Sequence, residues 1–321
     1  MNYNVKINPS GVSFQSEQNL LGDALKNSIP LEYSCKVGEC GICLAEIVTG
    51  KVENENGEIV QKGTILTCKS RALSNVVLKA KYHPELASQK LQSIPCKVAG
   101  FDFVTDNIIV IKFRFPPTVK FDFLPGQYVD LSFKGIKRSY SIASSKQLEH
   151  GVELHIRRVV GGKMSEILFS GLKENQLMQI EGPKGTFFIR KSNRPLILIA
   201  GGTGIAPVKS ILEELIAAED KRNIYVYWGM TEKGDFYLEE LNDFSRRYSN
   251  IHYTPVLSGG SMWNGRVGYV HQAVLDDFET LHEYDIYACG APVMIEVAKS
   301  NFFKKGLLEK NFFSDAFTAA K

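Results

Sequence analysis

Hydrophobic and polar positions change rhythm three times along the chain. Over residues 3–7 they alternate, with Val5 and Ile7 on one face, and residues 12–14 read as a returning hairpin partner across Gly11. Residues 19–26 take helical spacing, with Leu20, Leu21, Ala24 and Leu25 on one side. Strand character returns at 44–48 and 76–80, so the first segment reads as short strands around one helix, a small β-grasp arrangement. Residues 82–94 are polar and without period, and the linker is placed at 87–94. Alternation then dominates at 108–115, 127–133, 137–143 and 152–159, with Pro125-Gly126 making a turn before the second of these. Closely spaced antiparallel strands of this kind predict a small barrel. From residue 195 the rhythm changes again. Residues 195–200 are continuously apolar, as a parallel strand buried on both faces should be. Helices predicted at 208–218, 236–248 (capped by Asp235) and 293–303 alternate with strands at 224–228, 252–256 and 285–288. The expected organisation is three domains, at 1–86, 95–192 and 193–321.

Composition narrows the setting without naming a chemistry. The chain has 321 residues, 44% of them hydrophobic, and 38 basic against 35 acidic residues. A net charge of +3 gives no reason to invoke nucleic acid. There is no apolar run of about 18 residues, so no membrane span is expected, and the first ten residues lack the apolar core of a signal peptide. Six cysteines in a chain of this size suit a reducing compartment better than a disulfide scaffold, and a cytoplasmic location is expected.

The cysteines are not scattered. Cys35, Cys40 and Cys43 lie in Y-S-C-K-V-G-E-C-G-I-C at C-x4-C-x2-C spacing, and Cys68 follows in L-T-C-K-S-R-A. One tight triplet plus a distant fourth cysteine fits four thiolates around a [2Fe–2S] cluster. A disulfide pair or a zinc site is the competing reading, although zinc sites usually show two short-spaced pairs. Cys96 follows a proline at the start of a strand and reads as a small buried hydrophobe.

Two further motifs follow in order. Arg138-Ser139-Tyr140-Ser141 closes one barrel strand. Gly161-Gly162-Lys163-Met164-Ser165 then opens a helix predicted at 165–172, where backbone N–H groups form an anion site and Ser165 suits an N-cap. The apolar strand at 195–200 runs directly into Gly201-Gly202-Thr203-Gly204-Ile205-Ala206-Pro207. Strand, glycine loop and helix make the dinucleotide-binding arrangement, with Pro207 suited to a first helical turn.

Together these motifs resemble the ferredoxin–NADP reductase superfamily carrying an N-terminal plant-type ferredoxin domain, and the resemblance covers the whole chain. It implies a multidomain α+β and α/β fold: a β-grasp [2Fe–2S] ferredoxin domain, an antiparallel β-barrel flavin domain and a parallel-sheet, Rossmann-like nicotinamide domain. It implies FAD and NADH as cofactors beside the cluster, which Cys35, Cys40, Cys43 and Cys68 would hold. It places the flavin phosphate on Arg138, the flavin and its ribityl chain on Tyr140, flavin N5 near Ser141, and the FAD pyrophosphate at Gly162, Met164 and Ser165, with Arg157 beside it. The nicotinamide dinucleotide would lie on Gly201, Gly202, Thr203, Gly204, Pro207 and Gly229. Cys289 and Gly290 would sit by the nicotinamide ring, with a buried small residue as the competing reading for Cys289. Phe317 would cover the flavin, with plain core packing as its competitor. With Glu232 and only Lys233 after the strand at 224–228, NADH is expected over NADPH. The implied catalytic residues are Ser141, Cys289 and Phe317.

Finer strings, among them I-L-T-C, Y-W-G-M, G-Y-V-H-Q-A-V-L and F-F-S-D-A-F, resemble the CDP-6-deoxy-glucoseen reductases of 3,6-dideoxyhexose biosynthesis. That resemblance implies a pyridoxamine-phosphate-dependent CDP-6-deoxyhexulose dehydratase as electron acceptor, and lipopolysaccharide O-antigen as the destination of the sugar. Reductases of aromatic-ring dioxygenases and di-iron monooxygenases share the domain order, and an oxygenase component is the alternative acceptor. A redox sensor is a third reading, weakened by the presence of a nicotinamide loop.

Overall fold

A computed structural model describes residues 2–148, 150–259 and 263–317. The chain falls into two compact units, Met1–Lys90 and Leu91–Lys321. In the first unit, β1 (Tyr3–Asn8) and β2 (Ser13–Ser16) form the expected antiparallel hairpin, and α1 (Leu20–Lys26) follows. Asn19 caps α1 through a bond from the Gly22 N–H to its side chain. Next come β3 (Leu44–Thr49), β4 (Val52–Glu53), β5 (Ile59–Val60), β6 (Gly63–Leu66), β7 (Arg71–Ala72) and β8 (Val76–Lys79). The main sheet runs β2-β1-β8-β3-β6, with β1 and β8 parallel at its centre and a small β5-β4-β7 sheet beside it. Val5, Ile7, Leu20, Ala24 and Leu78 are fully buried, so one helix covers one sheet face. The 33–43 segment sits outside this ladder as an irregular loop.

The segment read as an aperiodic linker begins and ends differently in the structure. Its start is held to the first unit. Glu32 N–H donates to the Lys81 carbonyl, His83 N–H donates to the Pro30 carbonyl, and Leu86 is buried. At its far end β9 begins at Gln92, because Gln92, Ser93 and Ile94 pair with Gly182, Glu181 and Ile180.

In the second unit, β9 (Gln92–Thr105), β10 (Ile108–Arg114), β11 (Tyr128–Phe133), β12 (Ile136–Ser141), β13 (Gly151–Arg157) and β14 (Leu177–Lys184) form one antiparallel sheet ordered β12-β11-β14-β9-β10-β13. A bridge from Ile142 to Leu154 joins the two edge strands, so the sheet curls into a barrel. Ile111, Val129, Leu131, Leu154 and Ile180 fill its interior. Helix α2 (Lys163–Gly171) contributes Met164 and Leu168 to that same core.

The rest of the second unit has strands β15 (Leu196–Gly201), β16 (Ile224–Met230), β17 (Ile251–Leu257), β18 (Arg266–Val267), β19 (Asp285–Gly290) and β20 (Phe312–Ala316). All pairs are parallel, in the order β18-β17-β16-β15-β19-β20. Helices α3 (Ile205–Ala217), α4 (Glu240–Arg247), α5 (Val270–Asp277) and α6 (Pro292–Lys304) make the crossovers. Strand order reverses between β15 and β19, and the crevice at the carboxyl ends of two such strands is where doubly wound sheets bind ligands. Asp235 does not cap a helix as expected. It lies in a tight turn at Lys233–Asp235, and α4 starts five residues later at Glu240.

Candidate active site

The four ferredoxin-domain thiols come together in two pairs, Cys35 with Cys40 and Cys43 with Cys68. Within each pair one thiol donates to the other. Cys40 draws Cys35 down to about 5, and Cys68 draws Cys43 down to about 7, while Cys40 and Cys68 are themselves pushed up. Backbone groups add to this. The Val37 N–H points at Cys35 Sγ at 3.4 Å, the amides of Glu39 and Cys40 also bond Cys35, and the amide of Gly38 reaches Cys68. Gly38 adopts φ +86°, and a Cβ there would lie 3.0 Å from the Lys69 side chain, so glycine is what brings that amide inward. All six cysteines are free, which removes the disulfide reading. Two pairs of thiols surrounded by amide donors fit two irons, each held by one pair.

In the barrel, Arg138, Tyr140 and Ser141 stand near the carboxyl end of β12. Tyr140 is half-buried. Burial pushes its hydroxyl up to about 12, against the pull of Arg138, so it remains a donor at neutral pH. Ser141 is buried, and Arg138 is half-exposed, with Nη1 donating to the Lys137 carbonyl at 2.7 Å. That leaves an aromatic face, a hydroxyl and a guanidinium on one short stretch, a donor set suited to a flavin and its phosphate.

Gly162, not Ser165, is the N-cap of α2, and no side chain caps it. Ser165 lies in the first turn. Its hydroxyl is spent on the turn itself, donating to the Val159 and Gly162 carbonyls and accepting from the Val159 N–H. Met164 is buried in the barrel core, so what it offers a pyrophosphate is its backbone amide.

The glycine loop leaves β15 as a single tight turn over Gly202–Gly204 and enters α3 with no side-chain cap. A Cβ on Gly204 would lie 2.3 Å from the Cys289 carbonyl oxygen, so the loop packs directly on the end of β19. Pro207 falls in the first turn of α3, which begins three residues before the expected 208. Trp228 Nε1 donates to the Gly202 carbonyl at 2.9 Å. Arg157 of β13 ion-pairs with Asp235 at 3.4 Å, and its Nη1 lies 3.5 Å from where a Gly202 Cβ would be. Gly201, Gly229 and Gly290 stand at or next to the carboxyl ends of β15, β16 and β19, three neighbouring strands. Cys289 is 0% exposed, and burial, with Asp315 alongside, keeps its thiol protonated. Phe317 follows β20 and packs against the same core as Cys289 and Trp228.

The structure thus gathers Gly201–Gly204, Arg157, Gly229, Cys289, Gly290 and Phe317 around one sheet edge. Trp228, Tyr237, His155, Glu153, Lys209 and Ser210 also surround it and were not singled out from sequence. Trp228 lies in the Y-W-G-M string, and Lys209 and Ser210 close the G-G-T-G-I-A-P-V-K-S run that begins with the glycine loop; the other three carry no sequence signal.

Three protein-family models match the chain in sequence: a 2Fe-2S iron-sulfur cluster binding domain at residues 5–73, an oxidoreductase FAD-binding domain at 95–189 and an oxidoreductase NAD-binding domain at 198–300. Protein RfbI of Salmonella typhimurium is 48% identical over all of this chain and 98% of its own length. The CDP-6-deoxy-L-threo-D-glycero-4-hexulose-3-dehydrase reductase of Yersinia pseudotuberculosis is 46% identical over the full length of both. Among solved structures, the ferredoxin reductase in carbazole 1,9a-dioxygenase matches with a TM-score of 0.74 and 27% identity, over 99% of each chain. The cofactor set is therefore a [2Fe–2S] cluster, FAD and NADH, and the protein is an NAD(P)H-dependent oxidoreductase. The chain belongs to the CDP-6-deoxy-hexulose-3-dehydrase reductases, a family within the ferredoxin–NADP reductase superfamily that carries an N-terminal plant-type ferredoxin domain.

Proposed function

We propose that this chain delivers electrons from NADH to the dehydratase that removes the C-3 hydroxyl of a CDP-4-keto-6-deoxyhexose. In this reading the dehydratase is pyridoxamine-phosphate-dependent, acts in the cytoplasm, and serves the 3,6-dideoxyhexoses of O-antigen. Bound FAD and the [2Fe–2S] cluster supply the conversion of a two-electron hydride into single electrons. The protein supplies placement. Gly201–Gly204 and the start of α3 bind the dinucleotide, with Thr203 and Pro207 shaping the loop. Arg138 holds the flavin phosphate, Tyr140 packs on the flavin, and Ser141 offers a hydroxyl at the position from which N5 is reached. The Cys289 thiol and the Gly290 backbone border the nicotinamide, and Phe317 shields the flavin face. Cys35, Cys40, Cys43 and Cys68 hold the cluster. The partner meets the loop rim at Lys36, Val37 and Glu39, where Val37 is 48% exposed beside Cys35.

The observation that carries the choice of acceptor is the gap in identity. Full-length relatives named as CDP-6-deoxy-L-threo-D-glycero-4-hexulose-3-dehydrase reductases stand at 45–46%, and dioxygenase reductase components stand at 28–29% over the same span. Among the described residues no helix is long and apolar enough to cross a membrane. The test is reconstitution with the dehydratase, NADH and CDP-4-keto-6-deoxyglucose. A 3-deoxy product is expected; its absence, alongside turnover with a dioxygenase, would transfer the chain to the oxygenase systems.

A further inference from the structure

Helix α3 does more than begin at the nicotinamide loop. One turn in, Lys209 and Ser210 are only 7% and 0% exposed. Lysine is almost never buried without partners, and here it has several. Lys209 Nζ lies 2.5 Å from Glu213 Oε1, 3.2 Å from Glu153 Oε1 and 3.6 Å from Glu240 Oε1, and donates to the Ala143 carbonyl at 3.5 Å. Ser210 Oγ donates to the Ser144 carbonyl at 2.6 Å, and the Ser145 N–H donates to Glu213 Oε2 at 2.9 Å. So α3 grips three consecutive residues, Ala143, Ser144 and Ser145, starting two positions past Ser141 of the flavin motif.

A second path returns from the barrel. Glu153, on β13, accepts from His155 Nε2 at 3.0 Å, and His155 Nδ1 meets the Tyr237 hydroxyl at 2.9 Å. Tyr237 packs edge-on against Trp228, whose indole donates to the Gly202 carbonyl. The two paths meet at the Lys209–Glu153 ion pair, and the second ends on the glycine loop that leads into the helix carrying the first. A buried ion cluster is weak evidence for stability, because desolvation offsets attraction. Its directional bonds nevertheless fix relative position.

We propose that Lys209 is a positioning residue for hydride transfer: it locks the flavin-bearing segment 140–145 to the nicotinamide loop, and so sets the separation of the two reacting rings. Reacting atoms must approach to about 3–3.5 Å, and a misplacement of about 1 Å can slow a reaction by about 10²-fold. A neutral residue in place of Lys209 deprives Glu153, Glu213 and Glu240 of their common counter-charge and removes the bond to the Ala143 carbonyl.

The proposal rests on NADH reducing the bound flavin, and bleaching of wild-type holoenzyme tests that reading by itself, before any variant is made. The experiment is stopped-flow flavin bleaching by NADH in Lys209→Met and Lys209→Arg holoenzymes, beside amide hydrogen exchange. Lys209→Met should lower the limiting bleaching rate at least about tenfold with the NADH Kd unchanged within about threefold, since the loop itself is intact. Amides of residues 143–145 should exchange faster in the same variant, with β9 and β10 unaffected. Lys209→Arg should recover most of the rate, because it keeps the charge. A bleaching rate within about twofold of wild type, a weaker NADH Kd at unchanged limiting rate, or slowed bleaching with unchanged exchange at 143–145 would each overturn the proposal. If Lys209→Met fails to fold, Ser210→Ala removes one latch bond at low risk. A rate drop of about threefold or more supports the lock, and an unchanged rate overturns it.

Discussion

The backbone N–H of Phe317 donates to the carbonyl of Gly290 at 2.9 Å. This bond extends the β19–β20 ladder one step past the Gly290–Ala316 pair and sets the aromatic ring beside the end of the strand that carries Cys289. In the role proposed for Phe317, this ring moves aside before a nicotinamide stacks on the flavin. Its displacement costs about 0.5–1.5 kcal/mol if the contact resembles other aromatic packing. Phe317→Ala should therefore bind NAD+ about 2- to 12-fold more tightly, read by titrating the flavin spectrum. Unchanged affinity with a lowered Tm would assign the ring to core packing alone.

The two thiol pairs make a separable prediction for the other end of the circuit. Cys40→Ser leaves Cys35 without its pair, so the cluster should be lost, along with its visible and paramagnetic signals after reduction. Flavin bleaching by NADH should remain within about twofold, because the nicotinamide loop and flavin motif lie in the other compact unit. Delivery of electrons to cytochrome c or to the dehydratase should vanish. Loss of flavin bleaching as well would mean that the units do not work as modules.

Arg138→Lys tests the flavin site. Lysine keeps the charge but not the planar fork that suits phosphate. The variant should lose FAD on gel filtration, with an FAD Kd raised about 10- to 100-fold and an unchanged circular dichroism spectrum. Full retention of FAD would move the phosphate contact elsewhere in the barrel.

Glu153 gives the barrel a stability that depends on acid. Burial alone would raise its pKa, but the His155 bond and the Lys209 charge outweigh burial and hold it at about 2, against 4.5 for a free glutamate. A carboxyl with a depressed folded pKa stabilises above its unfolded value, and that contribution is lost as pH falls from about 4.5 toward 2. At about 1.4 kcal/mol per unit, the contribution is on the order of 3 kcal/mol at pH 6. Glu153→Gln should unfold earlier in urea at pH 6, with the gap to wild type closing between pH 4.5 and 2. A gap independent of pH would show that the loss is one of packing only.

What the sequence made legible was local. The cysteine triplet carries its spacing within nine residues, whereas the R-S-Y-S strand and the glycine loop gained their roles from their order along the chain and from the family they resemble. What it hid was pairing at a distance. Glu153 and Lys209 are far apart in the chain, and neither sits in a pattern that announces a buried ion pair. Asp235 has the chemistry of a helix cap, yet in the structure its carboxylate faces Arg157, 78 positions away, and the helix starts later. Ser165 fits an N-cap by type, but its hydroxyl bonds the turn before α2. Residues 92–94 open β9, whose buried positions alternate from Ile94 on, and their pairing with β14 across the sheet is what draws them into a strand.

The choice between NADH and NADPH turns on the residues after β16. Met230 is buried, Thr231 and Glu232 are exposed, and the Lys233 ammonium lies 5.8 Å from the centre of the Trp263 ring. In the proposed binding mode a 2′-phosphate at this turn lies near the exposed Glu232 carboxylate. Two like charges about 5 Å apart at a protein surface repel by about 1–3 kcal/mol. Glu232→Ala should raise kcat/KM for NADPH about tenfold or more while leaving NADH within about threefold, and Glu232→Arg should raise it further. The gain should shrink as salt rises above 0.1 M, since exposed charges are screened over about 10 Å at that strength. A coenzyme ratio that ignores both the substitution and the salt would mean the ribose lies away from Glu232, and the preference for NADH would then need a steric origin.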